Sequence, residues 1–217
     1  MTSISEHFAN IGEHFAADTE TALAPECFKG RDHVRLFQAY TPDYSFYIDL
    51  AQLDNDDWSE LKVNLENPGL HTIWHNANFD LRVLQSCGIN VGGQVDDTML
   101  MSYLLTNGQV VPAKFKSNVS LAAVVFRELG RELPKELQAQ DWMNADLNEQ
   151  DLAYAMADVR YTWQAFCRME PQIHEHDLAR VYEIEQKALY PTIQMESTGL
   201  HMDRSLIDSQ MLELDET

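Results

Sequence analysis

The sequence predicts an α/β domain: a mixed β-sheet flanked by helices, with a helical tail at its C-terminal end. Three observations predict it. The first 50 residues carry three strand-like runs in succession. Beyond them, short apolar strands alternate with segments of helical spacing. Gly, Pro, Asn and Asp punctuate the joins, as turn chemistry requires.

Taken in order, residues 1–11 are polar and read as an irregular lead-in or a short helix. Residues 14–19 read as the first strand. Residues 34–40 and 44–50 are β-branched and aromatic runs separated by Thr41-Pro42-Asp43, which predicts a hairpin beside that strand. Residues 55–67 predict a helix with an acidic start, Trp58, Leu61 and Leu65 at helical spacing, and Pro68-Gly69 as its stop. Residues 71–75 form a short apolar strand. Residues 79–87 follow as a helix closed by Gly88. Val95 leads through Asp96-Asp97 into an apolar helix over 98–105. Residues 107–117 read as a loop, and 120–129 as a helix capped by Ser120 and stopped by Gly130. Residues 131–147 show little regularity. Asn148 begins a long helix with Asp151 three residues on, a variant of the capping box. Its pattern continues to Met195, with Pro171 as a restart or kink and Gly199 as a turn.

The chain has 217 residues, 45% hydrophobic and 23% charged, the proportions of a soluble globular protein with one core and an appendage. Its longest apolar stretch, 121–126, is far too short to span a bilayer, and no signal peptide is visible. Cys27, Cys87 and Cys167 are widely spaced, which predicts reduced, buried thiols in a cytosolic protein and argues against a disulfide framework or a zinc cluster. The formal charge is −20. That acidity lowers the expected affinity for long nucleic acid. A site gripping only a few nucleotides through metal ions and stacking remains compatible with it.

The chemistry centres on Phe15-Ala-Ala-Asp18-Thr-Glu20-Thr. Residues i and i+2 of a strand share a face, so Asp18 and Glu20 emerge together at a strand end. Two like charges side by side repel unless a cation sits between them, and hard oxygen ligands suit Mg²⁺ or Mn²⁺. Asp-x-Glu also occurs on solvated strand ends, so further carboxylates are needed. Asp80, in Asn76-Ala-Asn-Phe79-Asp80, falls where a strand passes into a helix, the position at which α/β sheets bind ligands; a helix-terminus charge is the alternative. In Tyr154-Ala-Met-Ala-Asp158, phenol and carboxylate lie one turn apart on one helix face. The surroundings are apolar, so Asp158 needs a partner, either a metal or a base such as Arg160.

In this order and context, Asp18, Glu20, Asp80, Asp158 and Tyr154 resemble the DEDDy group of 3′–5′ exonucleases, which have a ribonuclease H-like fold. The resemblance covers roughly residues 12–170. Within the group, Asp97-Thr-Met-Leu-Met-Ser-Tyr-Leu-Leu105 and the segments 183–191 and 195–203 look like the proofreading domain of family A (polymerase I-like) DNA polymerases and its connection to the polymerase. Residues 134–142 and 147–161 look like ribonuclease D. The tail favours the polymerase side, giving an exonuclease domain over 1–172 and a helical tail over 173–217.

The resemblance implies metal-dependent removal of nucleotides from single-stranded DNA 3′ ends, with RNA ends as the alternative, and a non-catalytic scaffold of a polymerase or replisome as a reading of another class. It implies two divalent ions, Mg²⁺ or Mn²⁺, held by Asp18, Glu20, Asp80 and Asp158, and a water oriented by Tyr154. Thr21, Leu23, Asn76 and Phe79 fall at substrate-side positions. Glu20-Thr-Ala-Leu23 is about one residue shorter than the polymerase pattern. The implied setting is the cytoplasm of a bacterial or phage-infected cell. Arg160, Lys114 and Lys116 read as solvated surface, His75 as a strand-end histidine, Trp142 and Trp163 as core. His174 and His176 cannot share a helix face. Leu206, Ile207, Met211 and Leu214 predict an amphipathic tail packed on a polymerase domain, a replication protein or a second copy.

Overall fold

The computed structural model describes residues 2–22, 30–107, 109, 112, 114–133, 142–143, 146–199 and 202–215. The polar lead-in is a helix, α1 (Ile4–Ile11), opened by a reciprocal Ser3–Glu6 capping box. Ile4, Phe8 and Ile11 fall at i, i+4 and i+7 and are buried, so the segment belongs to the core.

Strand β1 (His14–Thr21) is central. It pairs antiparallel with β2 (Val34–Tyr40), which pairs antiparallel with β3 (Ser45–Asp49). On its other side β1 runs parallel to β4 (His71–Trp74), and β4 to β5 (Gln94–Asp97). The mixed sheet therefore has the order β3-β2-β1-β4-β5. Parallel pairs need crossovers, and helices supply them. Helix α2 (Asn55–Leu65) leads to β4, and α3 (Ala77–Ser86) joins β4 to β5. Before β5 the chain turns at Gly93, with φ +71 and a Cβ position that would lie 1.9 Å from the Leu70 carbonyl oxygen, so only glycine fits.

The alternation of β1 divides the core. Phe15 and Ala17 face α1, α2 and α3 with Phe8, Phe37, Trp58, Leu61, Leu65, Trp74 and Leu84. Ala16 faces the opposite layer with Ile73, Met101, Val124, Ala165, Phe166 and Met169, from α4 (Thr98–Leu105), α5 (Leu121–Leu129) and α6 (Glu149–Glu175). Each large apolar side chain so buried contributes about 1.5–3 kcal/mol.

Several sequence expectations need correction. Pro171 neither restarts nor interrupts α6; it lies inside one 27-residue helix. The break comes after Glu175, at Asp177 with φ 57, before α7 (Ala179–Thr198). Left-handed geometry at a non-glycine residue ends a helix without any sequence marker as plain as proline. Cys87 is half-buried and Cys167 is exposed, against the expectation of buried thiols, because Cys167 falls on the outer face of α6. Trp163 is half-buried, its ring 5.0 Å from that of His14. Cys27, Leu23 and residues 134–141 lie outside the described residues.

Helix α7 packs on the body of the domain. Leu189 and Ile193 join the α3-side core. Tyr182 donates to Asp96 Oδ1 at 2.7 Å, Gln186 donates to Asp96 Oδ1 at 2.7 Å and to the Val95 carbonyl at 3.0 Å, and Tyr190 donates to the Val91 carbonyl at 2.7 Å. Helix α8 (Arg204–Asp215) follows, with Met211 exposed. Among the described residues, no helix is long and apolar enough to cross a membrane.

Candidate active site

Asp18 and Glu20 leave β1 on the α6 side, as the two-residue period of a strand dictates. Helix α6 starts at a capping box formed by Asn148 and Asp151, which sets where its first turns lie. Tyr154 and Asp158 follow, one turn apart, and the Tyr154 hydroxyl donates to Asp158. Arg160 lies over the ring of Tyr161. Asp158 meets Asp18 and Glu20, and each of the three offers a carboxylate oxygen within 4.8 Å of the others.

Asp80 reaches the same point from the other layer. It is buried in the first turn of α3, and its Oδ1 accepts the Thr19 N–H at 2.9 Å and the Thr19 hydroxyl at 2.7 Å. Thr19, which lies between Asp18 and Glu20 in sequence, thus fixes Asp80 beside them. The four carboxylates share a cavity of about 330 Å³ with Thr19, His75, Asn76, Phe79, Trp142 and Tyr154. Thr21 ends β1 after a register shift beyond Glu20, and its hydroxyl donates to the Ala22 carbonyl.

Three residues here had no functional reading in the sequence. Trp142 is buried as expected of a core residue, yet it also walls the cavity, its ring 6.4 Å from that of Tyr154. Thr19 carries Asp80. Gln38 sits opposite Asp18 in the β1–β2 register and is fully buried. Its Nε2 donates to Glu20 Oε1 at 3.5 Å, while its Oε1 has no hydrogen-bond partner among the described residues. A glutamine in the middle of an apolar strand was the available signal, since an unsatisfied buried amide costs stability.

The electrostatics follow from crowding. Burial, then the neighbouring carboxylates, hold Asp18 and Glu20 well above the usual carboxylate range. Burial pushes Asp80 and Asp158 up to about 7. Burial and the Asp158 charge raise the Tyr154 phenol above its ordinary range, so it keeps its proton. Enclosure lowers His75 to about 4, and the ring, bonded through Nδ1 to the Thr98 hydroxyl at 2.9 Å, brings no positive charge at neutral pH. Among the described residues lining the cavity, none therefore brings a compensating positive charge. A divalent ion would reverse every one of these carboxylate shifts, and the all-oxygen donor set with a buried unsatisfied amide oxygen beside it fits a hard ion such as Mg²⁺ or Mn²⁺.

Comparison with known proteins identifies the family. Residues 1–174 match the family model described as 3′–5′ exonuclease, of the type found with family A DNA polymerases. DNA polymerase I of Aquifex aeolicus is 30% identical over 153 residues, 70% of this chain and 24% of that protein. Ribonuclease D of Escherichia coli K12 is 27% identical over 164 residues, 74% of this chain and 41% of that protein. The chain thus spans between a quarter and two fifths of these relatives. The crystal structure of E. coli RNase D, described as an exoribonuclease involved in structured RNA processing, superposes with a TM-score of 0.71 at 20% identity, over 90% of this chain and 50% of that one. The fold is the ribonuclease H-like fold, and the chain belongs to the 3′–5′ exonuclease family.

Proposed function

We propose that the protein is a DEDDy-type, metal-dependent 3′–5′ exonuclease that removes nucleotides from DNA 3′ ends in a proofreading role. The observation that carries this reading is the convergence of Asp18, Glu20 and Asp158 within 4.8 Å, with Asp80 and Tyr154 on the same cavity. Asp18, Glu20 and Asp158 would hold one divalent ion, and Asp18 with Asp80 a second. Bound there, such a pair would supply activation of water and charge stabilisation on the scissile phosphate and the departing 3′ oxygen.

The protein's own groups do the rest. Tyr154 keeps its proton, so its hydroxyl orients the attacking water by hydrogen bonding and does not act as a base. Water attacks phosphorus, the P–O3′ bond breaks, and a nucleoside 5′-monophosphate leaves. Asn76 and Phe79 line the cavity and would meet the terminal nucleotide, Phe79 by stacking; Thr21 and Leu23 would complete the substrate side. The scarcity of cations is consistent with a grip on a short frayed end. Residues 173–217 would begin the connection to a polymerase domain, which would cover the exposed Met202 and Met211.

The similarity to ribonuclease D supports a second reading, an exoribonuclease. Matched single-stranded DNA and RNA oligonucleotides of one sequence, 5′-labelled and incubated with Mn²⁺, separate the two. A ladder shortening from the 3′ end, faster on DNA, is expected. Faster degradation of RNA would assign the second reading. Release from neither, with Asp18→Ala indistinguishable from the parent, would leave a scaffold role.

A further inference from the structure

The loop between β4 and α3 is held by a carboxylate that the mechanism above does not use. Asp97 closes β5 and is 2% exposed. Its Oδ1 accepts the N–H groups of Met99 at 2.7 Å, Asn76 at 3.0 Å and Leu100 at 3.4 Å, and its Oδ2 accepts that of Ala77 at 2.9 Å. Its own N–H donates to the Tyr182 hydroxyl at 2.9 Å. One side chain therefore caps two helices, α4 in the ordinary way and α3 from a distance of twenty residues.

The second cap is the unusual one. Asn76 stands at the N-cap of α3 but makes no side-chain cap bond, and its backbone is left-handed, φ 68 and ψ 53. Asparagine tolerates that region better than most residues, yet the conformation still needs support from its surroundings. Asp97 supplies the support through the Asn76 N–H and takes over capping through the Ala77 N–H. The Asn76 amide is thereby released from capping and lines the cavity with Phe79 and Asp80.

We propose that Asp97 is a positioning residue for the substrate side of the site: it holds Asn76 in the left-handed conformation and sets the start of α3, so that Asn76 meets the terminal nucleotide. The functional half of this inference rests on the exonuclease reading above. Tyr182 extends the same support to α7 by fixing the Asp97 backbone.

Asp97→Asn preserves shape but offers one acceptor oxygen instead of two, leaving an NH₂ against an N–H. Hydrogen exchange of the whole chain should show the Asn76 and Ala77 amides exchanging about tenfold faster, with α6 unchanged. On a single-stranded oligonucleotide with Mn²⁺, KM should rise about tenfold while kcat stays within about threefold. In an Asn76→Gly background, where residue 76 is left-handed without help, the same substitution should change KM by less than about threefold. Should Asp97→Asn not fold, Asp97→Ser keeps an α4 cap while losing the bonds to α3 and takes its place. Unchanged exchange at Asn76 and Ala77, or an equal KM penalty with and without Asn76→Gly, overturns the proposal. A parent protein that releases no nucleotide overturns the exonuclease reading instead; the exchange measurement needs no turnover and then decides the positioning by itself.

Discussion

Asp158→Asn should make the metal-free protein more stable while destroying its function. Burial raises Asp158 from an ordinary 3.8 to about 7, against the lowering effect of the hydrogen bond from Tyr154. The displacement is worth ~4 kcal/mol at 1.36 kcal/mol per pH unit. Water reaching the open cavity screens the charge, so the recoverable part is about 1–2 kcal/mol. The sign follows from linkage. A carboxyl whose folded pKa lies above its unfolded value binds more protons when folded, so stability falls as pH rises between the two values. The penalty is absent below about pH 3, roughly an eighth developed at pH 4, a little over a third at pH 5 and complete above about pH 7. The neutral amide removes it and still accepts from Tyr154. For a chain of this size the gain is about 3–6 °C in Tm at pH 8 with EDTA, shrinking toward pH 4. With Mn²⁺ at a hundredfold its Kd, the parent should gain ~2.7 kcal/mol and overtake the variant. Thermal melts at pH 4.5 and 8, with chelator and with Mn²⁺, measure all four corners. If the variant melts at or below the parent at pH 8 with EDTA, the buried Asp158 charge carries no cost for a cation to relieve, and the argument for a cation at this position fails.

Three further outcomes are expected. Asp18→Ala removes a carboxylate shared by both proposed ion positions and should lower kcat by at least about 10³-fold with the fold intact by circular dichroism. Tyr154→Phe removes only the hydroxyl and should lower kcat by about 10²-fold with little change in Mn²⁺ affinity; a change below threefold would deny Tyr154 a role in orienting water. Gln38→Leu eliminates the unsatisfied buried oxygen and the bond to Glu20, so the melting temperature should hold or rise while Mn²⁺ affinity by calorimetry falls about tenfold.

Much of the fold was legible because local chemistry and tertiary context agree. Ser120 and Gly130 bracket α5, Asn148 and Asp151 open α6, and the Thr41-Pro42-Asp43 turn joins β2 to β3, each as written in the sequence. Asp18 and Glu20 could be placed on one face because a strand has a period of two, and Tyr154 and Asp158 because a helix returns every turn. What stayed hidden depends on long-range partners. Asp177 breaks the helix through a backbone angle, not a residue type that announces it. Thr19 and Gln38 gain their roles from Asp80 and Glu20, brought near only by folding. Asp97 carried a visible signal, an N-cap before an apolar helix, but its bonds to Asn76 and Ala77 could not be read from spacing. Trp142 reads as core from composition alone; only the packing of α6 turns its ring toward the cavity.

The bonds from Tyr182, Gln186 and Tyr190 to β5 and the chain before it bear on how this protein can be divided. A truncation at residue 174, where the family match stops, would strip Asp96 of two donors and open a trough where Leu189 and Ile193 had been seated. Such a fragment would present a raw sheet margin and sticky apolar surface to its neighbours in solution. Expression for biochemistry is better ended after Thr198, where Gly199 provides a natural seam.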